Sequence, residues 1–95
     1  DAKTLHENSI VIDGHCDTLL RFQMQESKRM PLPPGIRESK GHIDVDRLVQ
    51  GGVTAQNFAC YILPTFLPDN ATHQTLAMID LLYRRIDERA DDLCL

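Results

Sequence analysis

Two residues at the end of an apolar run, His15 and Asp17, have the types and the spacing to bind a metal ion. A neutral imidazole nitrogen and a carboxylate oxygen are ligands that zinc binds at about 2.0–2.2 Å. Side chains alternate along a strand, so residues two apart point the same way and can converge on one cation. The same triplet also fits a hydrogen-bonded histidine followed by an aspartate that caps a helix.

Four neighbouring side chains have their own predicted roles. By the same alternation Asp13 shares the face of His15, and its deeper position favours a supporting role beside the site over ligation. Cys16 faces the other way and is predicted to be a buried thiol. Gln56 and Asn57 lie on opposite faces of a later strand, so one of these two amides is expected near the site. Gln56 is the candidate for that supporting role.

The segments that must position these residues alternate between strand and helix. Apolar runs on both faces predict buried strands, and apolar residues every three or four positions predict a helix. Asp44 and Gly51 are suited to begin and end a short helix. The predicted segments are a strand over 9–17, a loop over 23–42, a short helix over 44–50, a strand over 53–63 and a helix over 71–92. This order indicates an α/β fold whose ligands lie at the carboxyl ends of parallel strands.

The composition excludes some functions and favours one compartment. The 95 residues are 42% apolar and carry a formal charge of −4, which argues against a nucleic-acid partner. No window approaches the roughly 18 apolar residues of a membrane span. Three cysteines without a CxxC pair favour a reducing, cytoplasmic location. Because the sequence begins with Asp1 rather than Met, secretion or membrane anchoring after removal of a signal stays open.

Two blocks of sequence resemble the opening of the renal or membrane dipeptidase family, a branch of the amidohydrolase-like metallohydrolases. The first block is VIDGHCDTLLRF, residues 11–22, and the second is GHIDVDRLVQGGVTAQNFACYIL, residues 41–63. Members of the family open with a strand ending in DGHxD and continue with a segment like HxDxxRLxxGGVxAQ. The resemblance extends from about residue 8 to 63 and more loosely through the last helix. In the second block, we expect His42 and Asp44 to serve helix entry rather than catalysis.

The resemblance implies a (β/α)₈ barrel with two zinc ions at the carboxyl ends of its strands. His15 and Asp17 match the two ligands that the first strand gives to one ion. The activity implied is metal-dependent hydrolysis of dipeptides. Such a barrel needs at least about 200 residues, so this segment would supply the first two βα units. Alone it is expected to be inactive, with the remainder of the barrel, or a homo-oligomer, as its protein partner.

Two alternatives stay open at this point. The segment fits a non-catalytic α/β module or a degenerate homologue that keeps the opening of the fold without its chemistry. It also fits a related metallohydrolase that acts on a lactam or an N-acyl amino acid. The residues after Asp17 are Thr18, Leu19 and Leu20, in a region where the best-known animal members have a proline and an aromatic residue. The substrate preference is therefore open even if the metal ligands are right.

Overall fold

The computed structural model describes residues 1–24 and 41–95. Its elements, in chain order, are α1 (Ala2–Glu7), β1 (Ile12–Cys16), α2 (Thr18–Met24), α3 (Val45–Gln50), β2 (Ala55–Phe58), a 3₁₀ turn (Pro64–Phe66) and α4 (Ala71–Asp87). Most of the loop predicted over 23–42 lies outside the described residues. No helix in the two described ranges is long and apolar enough to cross a bilayer.

The strands are shorter than predicted, and two helices were not expected. β1 and β2 pair with each other, so hydrogen-bonded strand extends only where the two overlap. Helix α1 is polar and buries none of its residues, which leaves no apolar periodicity to predict it from. It is capped by Asp1, whose side chain accepts a hydrogen bond from the N–H of Thr4 at 2.9 Å. Helix α2 begins in the residues that the prediction left between the strand over 9–17 and the loop over 23–42, and it extends into the start of that loop.

The two strands run parallel, as the α/β prediction requires. Cα partners in the ladder are Ile12 with Ala55, Asp13 with Gln56, and Cys16 with Phe58. Between the last two pairs β1 advances three residues while β2 advances two, so β1 contains one extra residue. This is a β-bulge, which bends a strand locally and changes the faces of the residues that follow.

The core lies between the helices and one face of the sheet. Helices α2 and α4 pack against each other. The fully buried apolar side chains are Leu19, Phe22, Val45, Met78 and Leu81. Burying each such side chain stabilises the fold by about 1.5–3 kcal/mol. Phe58 of β2 packs against this cluster, whereas its neighbour Asn57 is exposed. The other face of the sheet is therefore open.

The turn between α3 and β2 is held by the first helix. Nε2 of His6 lies 2.7 Å from the carbonyl oxygen of Gly51. The next residue, Gly52, has a φ of 70°. A side chain there would also lie 2.9 Å from His6 Nε2. Both the backbone conformation and the close approach therefore require glycine at this position.

Candidate metal centre

The structure brings His15 and Asp17 together at the carboxyl end of β1. Nε2 of His15 lies 3.2 Å from Oδ1 of Asp17. The two side chains are 66% and 55% exposed. His15 belongs to the strand, and Asp17 lies between the strand and α2, where its carbonyl accepts the first helical hydrogen bond from Leu20. The pair is thus open to solvent at the strand end where α/β folds hold their ligands.

The bulge in β1 decides which face carries the histidine. Gln56 and Phe58 are two residues apart in β2 and so share a face, which means that their partners Asp13 and Cys16 share it as well. Phe58 and Cys16 both pack toward the core. His15 therefore lies on the opposite, open face. Strict alternation would have placed Asp13 and His15 together, and that expectation is not met because the extra residue shifts the alternation.

Asp13 nevertheless contacts the backbone of the site. Its Oδ1 accepts a hydrogen bond from the N–H of His15 at 3.1 Å. The sequence does contain a signal for the bulge, because a glycine inside a strand pattern often marks one and Gly14 follows Asp13 directly. A prediction based on strict alternation of faces along the strand does not take this glycine into account. The supporting role predicted for Asp13 stays a prediction, now with a defined contact.

The amide predicted to support the site, Gln56, lies on the face of β2 that packs toward the helices. Its Nε2 donates to the carbonyl oxygen of Asn57 at 3.2 Å. Its Oε1 is buried and accepts no hydrogen bond within the described ranges. Asn57 is the amide on the open face. The role of Gln56 beside the site stays a prediction that none of its contacts supports.

Cys16, between the two candidate ligands, is 6% exposed and forms no disulfide. It lies on the core side of the sheet, so the prediction of a buried thiol is confirmed. The imidazole of His15 and the carboxylate of Asp17 are the two side chains that meet at the strand end.

The donor set fits part of a zinc site. Two ligands bound to one tetrahedral ion at about 2.0–2.2 Å are roughly 3.3–3.6 Å apart, close to the 3.2 Å between the donors here. A hydrogen-bonded ion pair has a similar length, so distance alone does not identify a ligand pair. Among residues 1–24 and 41–95, no group of three His, Cys, Asp or Glu side chains lies together as a metal site. A complete four-coordinate site would need further donors.

A second His-x-Asp triplet, His42 to Asp44, is used differently. Asp44 is 7% exposed and caps α3, its Oδ1 accepting the N–H of Arg47 at 2.8 Å. The Arg47 guanidinium also donates to its other oxygen. Burial raises the pKa of Asp44, but the hydrogen bonds and charge of Arg47 outweigh burial and leave the pKa below its ordinary value. Asp44 therefore serves helix entry, as the sequence predicted, while His42 is exposed.

Comparison with known proteins identifies the class as a peptidase. The family model for membrane dipeptidase, peptidase family M19, matches residues 1–95. The chain belongs to this family, and the resemblance seen in the two sequence blocks is confirmed. A metal-dependent dipeptidase activity is what membership indicates for the protein. No solved structure matches the chain significantly.

Proposed function

We propose that this chain supplies the first two βα units of a (β/α)₈-barrel zinc dipeptidase, with His15 and Asp17 as ligands to one of two zinc ions. The observation that carries the proposal is the convergence of an imidazole nitrogen and a carboxylate oxygen to 3.2 Å at the carboxyl end of a parallel strand. Membership of the dipeptidase family supports the same chemistry.

The open face of the sheet supports the barrel. Ile12 of β1 is 65% exposed, although it is a large apolar residue in a strand. Leu5 and Ile10, which precede β1, are also exposed. A large apolar side chain exposed on a strand face fits a surface that another part of the protein covers. In a closed barrel the interior-facing residues of neighbouring strands would cover Ile12, and those strands would come from outside these 95 residues.

The chemistry proposed is hydrolysis of a peptide bond. When bound, a pair of zinc ions would lower the pKa of a water molecule to near neutrality and polarise the scissile carbonyl. His15 would bind through Nε2, so the proton of the neutral imidazole must lie on Nδ1. Asp17 would contribute negative charge and fix the direction of approach. Because the pair is exposed on the open face, a substrate can reach it without displacing the helical core.

The proposed substrate is a dipeptide with free termini. Its ammonium and carboxylate groups would be recognised by the metal site and by a cationic side chain. The third and fourth ligands, the bridging carboxylate and that cation are proposed to come from later strands. Two donors cannot complete the site, so residues 1–95 alone are proposed to be inactive.

The experiment that tests this proposal compares substrates and metal content in the full-length protein. Metal would be removed, zinc restored, and hydrolysis of a dipeptide compared with hydrolysis of an N-acyl amino acid of the same side chain. The proposal predicts about two zinc ions per chain and turnover of the dipeptide only. Turnover of the acylated compound instead would favour the related amide hydrolase, and absence of zinc-dependent turnover would contradict both.

A further inference from the structure

The carboxylate of Asp13 lies where it can hold the irregular end of β1 in shape. The hydrogen bond that its Oδ1 accepts from the N–H of His15, 3.1 Å long, begins at one end of the bulge and spans its extra residue. Aspartate side chains often stabilise a local turn in this way, by binding the backbone N–H two residues further on. The contact is local and needs no other part of the fold.

This bulge determines where the histidine points. With regular pairing His15 would share the face of Asp13, which the register places on the side of Cys16 and the helical core. The bulge moves His15 to the open face instead. There its Nε2 meets Oδ1 of Asp17. The convergence of the two candidate ligands therefore depends on the shape of the backbone between Asp13 and Cys16.

Glycine at position 14 does not explain this shape. Among the described glycines, the one with a positive φ is Gly52, not Gly14. A Cβ built on Gly14 meets no atom of residues 1–24 or 41–95 within 4 Å. Another residue could therefore occupy this position with the same backbone. Within the described part of the chain, the side-chain hydrogen bond at the bulge is the one that Asp13 accepts.

We infer that Asp13 is a positioning residue for the metal ligands, acting through the backbone N–H of His15 rather than through its charge or direct ligation. The inference rests on the proposed role of His15 and Asp17 as ligands. It explains why a carboxylate follows the apolar run two residues before the histidine.

The test is the zinc affinity of the full-length protein with substitutions at position 13. Affinity would be measured by competition with a chromogenic chelator, and folding would be checked by circular dichroism. Asp13→Ala removes the acceptor and should weaken zinc binding about 10–100-fold, the range for partners that orient ligands. Asp13→Asn keeps an acceptor oxygen without the charge and should stay within about threefold of wild type. Gly14→Ala, the matched control, should also stay within about threefold, since open space surrounds it.

The outcomes separate this inference from the proposed function. Wild-type affinity in Asp13→Ala, or equal losses in the Ala and Asn variants, would overturn the positioning role. Should Asp13→Ala not fold, Asp13→Ser has a hydroxyl that makes the same turn more weakly. A loss in Ser with full binding in Asn supports the inference, and equal losses in both overturn it. Unchanged zinc affinity in His15→Ala would instead reject the ligand pair itself, and the positioning role with it.

Discussion

The chain contains the pattern His-x-Asp twice, at residues 15–17 and 42–44, and the fold gives the two triplets different surroundings. Both aspartates stand immediately before a helix, Asp17 before α2 and Asp44 before α3. Asp44 is buried and its carboxylate binds the backbone and side chain of Arg47. Asp17 is exposed, and its carboxylate faces the imidazole of His15.

The two triplets differ in the element that precedes them and in whether the following helix contains a residue that binds the aspartate. The first follows a parallel strand, whose bulged end directs His15 onto the open face. The second follows no described strand, and the third residue of its helix is an arginine that satisfies the aspartate. A carboxylate whose two oxygens already accept hydrogen bonds is a poor candidate for a metal ligand. An exposed carboxylate beside an imidazole can still bind a metal ion. Sequence spacing alone does not separate the two.

The largest effect is expected from the first triplet. Asp17→Ala or His15→Ala should abolish dipeptide hydrolysis by the full-length protein and weaken zinc binding by more than about 100-fold, beyond the loss typical of partners that only orient ligands. Because both side chains are exposed, the free energy of unfolding of the metal-free protein should change by less than about 0.5 kcal/mol. Zinc titration measures the loss of affinity, and chemical unfolding measures the free energy of unfolding. Full turnover in either variant would remove that residue from the site.

Asp44→Ala should lower the stability of the fold and leave zinc binding unchanged, the reverse of what is expected for Asp17→Ala. Loss of the cap of α3 is expected to lower the free energy of unfolding by about 1–2 kcal/mol, while zinc affinity per folded molecule stays at the wild-type level. Asp80→Ala is the matched control, because Asp80 forms an exposed i,i+4 pair with Arg84 that is worth less than about 0.5 kcal/mol. A loss of zinc affinity in Asp44→Ala would show that the second triplet also serves the metal.

The pH dependence of stability sharpens the same contrast. The pKa of Asp44 in the folded chain lies below its ordinary 3.8. The ionised carboxylate therefore stabilises the fold fully at pH values above its pKa in the unfolded chain. This stabilisation is lost as the pH falls through its pKa in the folded chain. Wild type and Asp44→Asn, which keeps a capping oxygen, should differ by a constant free energy of unfolding above about pH 5, and that difference should shrink in acid. A difference that grows as the pH falls would contradict the assigned sign.

The smallest effect is expected from the exposed histidine of the second triplet. His42→Ala should change the free energy of unfolding by less than about 0.5 kcal/mol, since the imidazole is exposed. It should leave zinc affinity unaltered, because Asp44, the carboxylate of the same triplet, is already bound by Arg47. Zinc titration and chemical unfolding measure both effects, and His15→Ala is the variant for comparison. Equal losses of zinc affinity in the two histidine variants would remove the distinction between the triplets.

The sequence predicted the features that depend on regular spacing. Helix α4 begins at Ala71, the start of the segment whose apolar periodicity predicted a helix, and the two apolar runs form parallel strands. Features that depend on a single local contact were not predictable in this way. Helix α1 has no apolar face and is held through Asp1 and His6. At the bulge, Oδ1 of Asp13 accepts a hydrogen bond from the N–H of His15, a local contact that strict alternation of faces does not represent.

The sequence predicted the residue types of the candidate site but not the faces on which the neighbouring side chains lie. The types of His15 and Asp17 and their place after an apolar run were visible in the sequence, and their convergence is seen in the structure. The faces of Asp13 and Gln56 depend on the register of β1 against β2, which is set by pairing between residues more than 40 positions apart. Such pairing is a tertiary property that local propensity does not contain.

The central claim is that His15 and Asp17 hold one metal ion between them. Crystals of the zinc-loaded full-length protein, measured with anomalous diffraction at the zinc edge, test it most directly. We predict an anomalous peak about 2.0–2.2 Å from both His15 Nε2 and a carboxylate oxygen of Asp17. Zinc bound elsewhere, with the two side chains joined only to each other, would show that the pair is a simple ion pair and contradict the account.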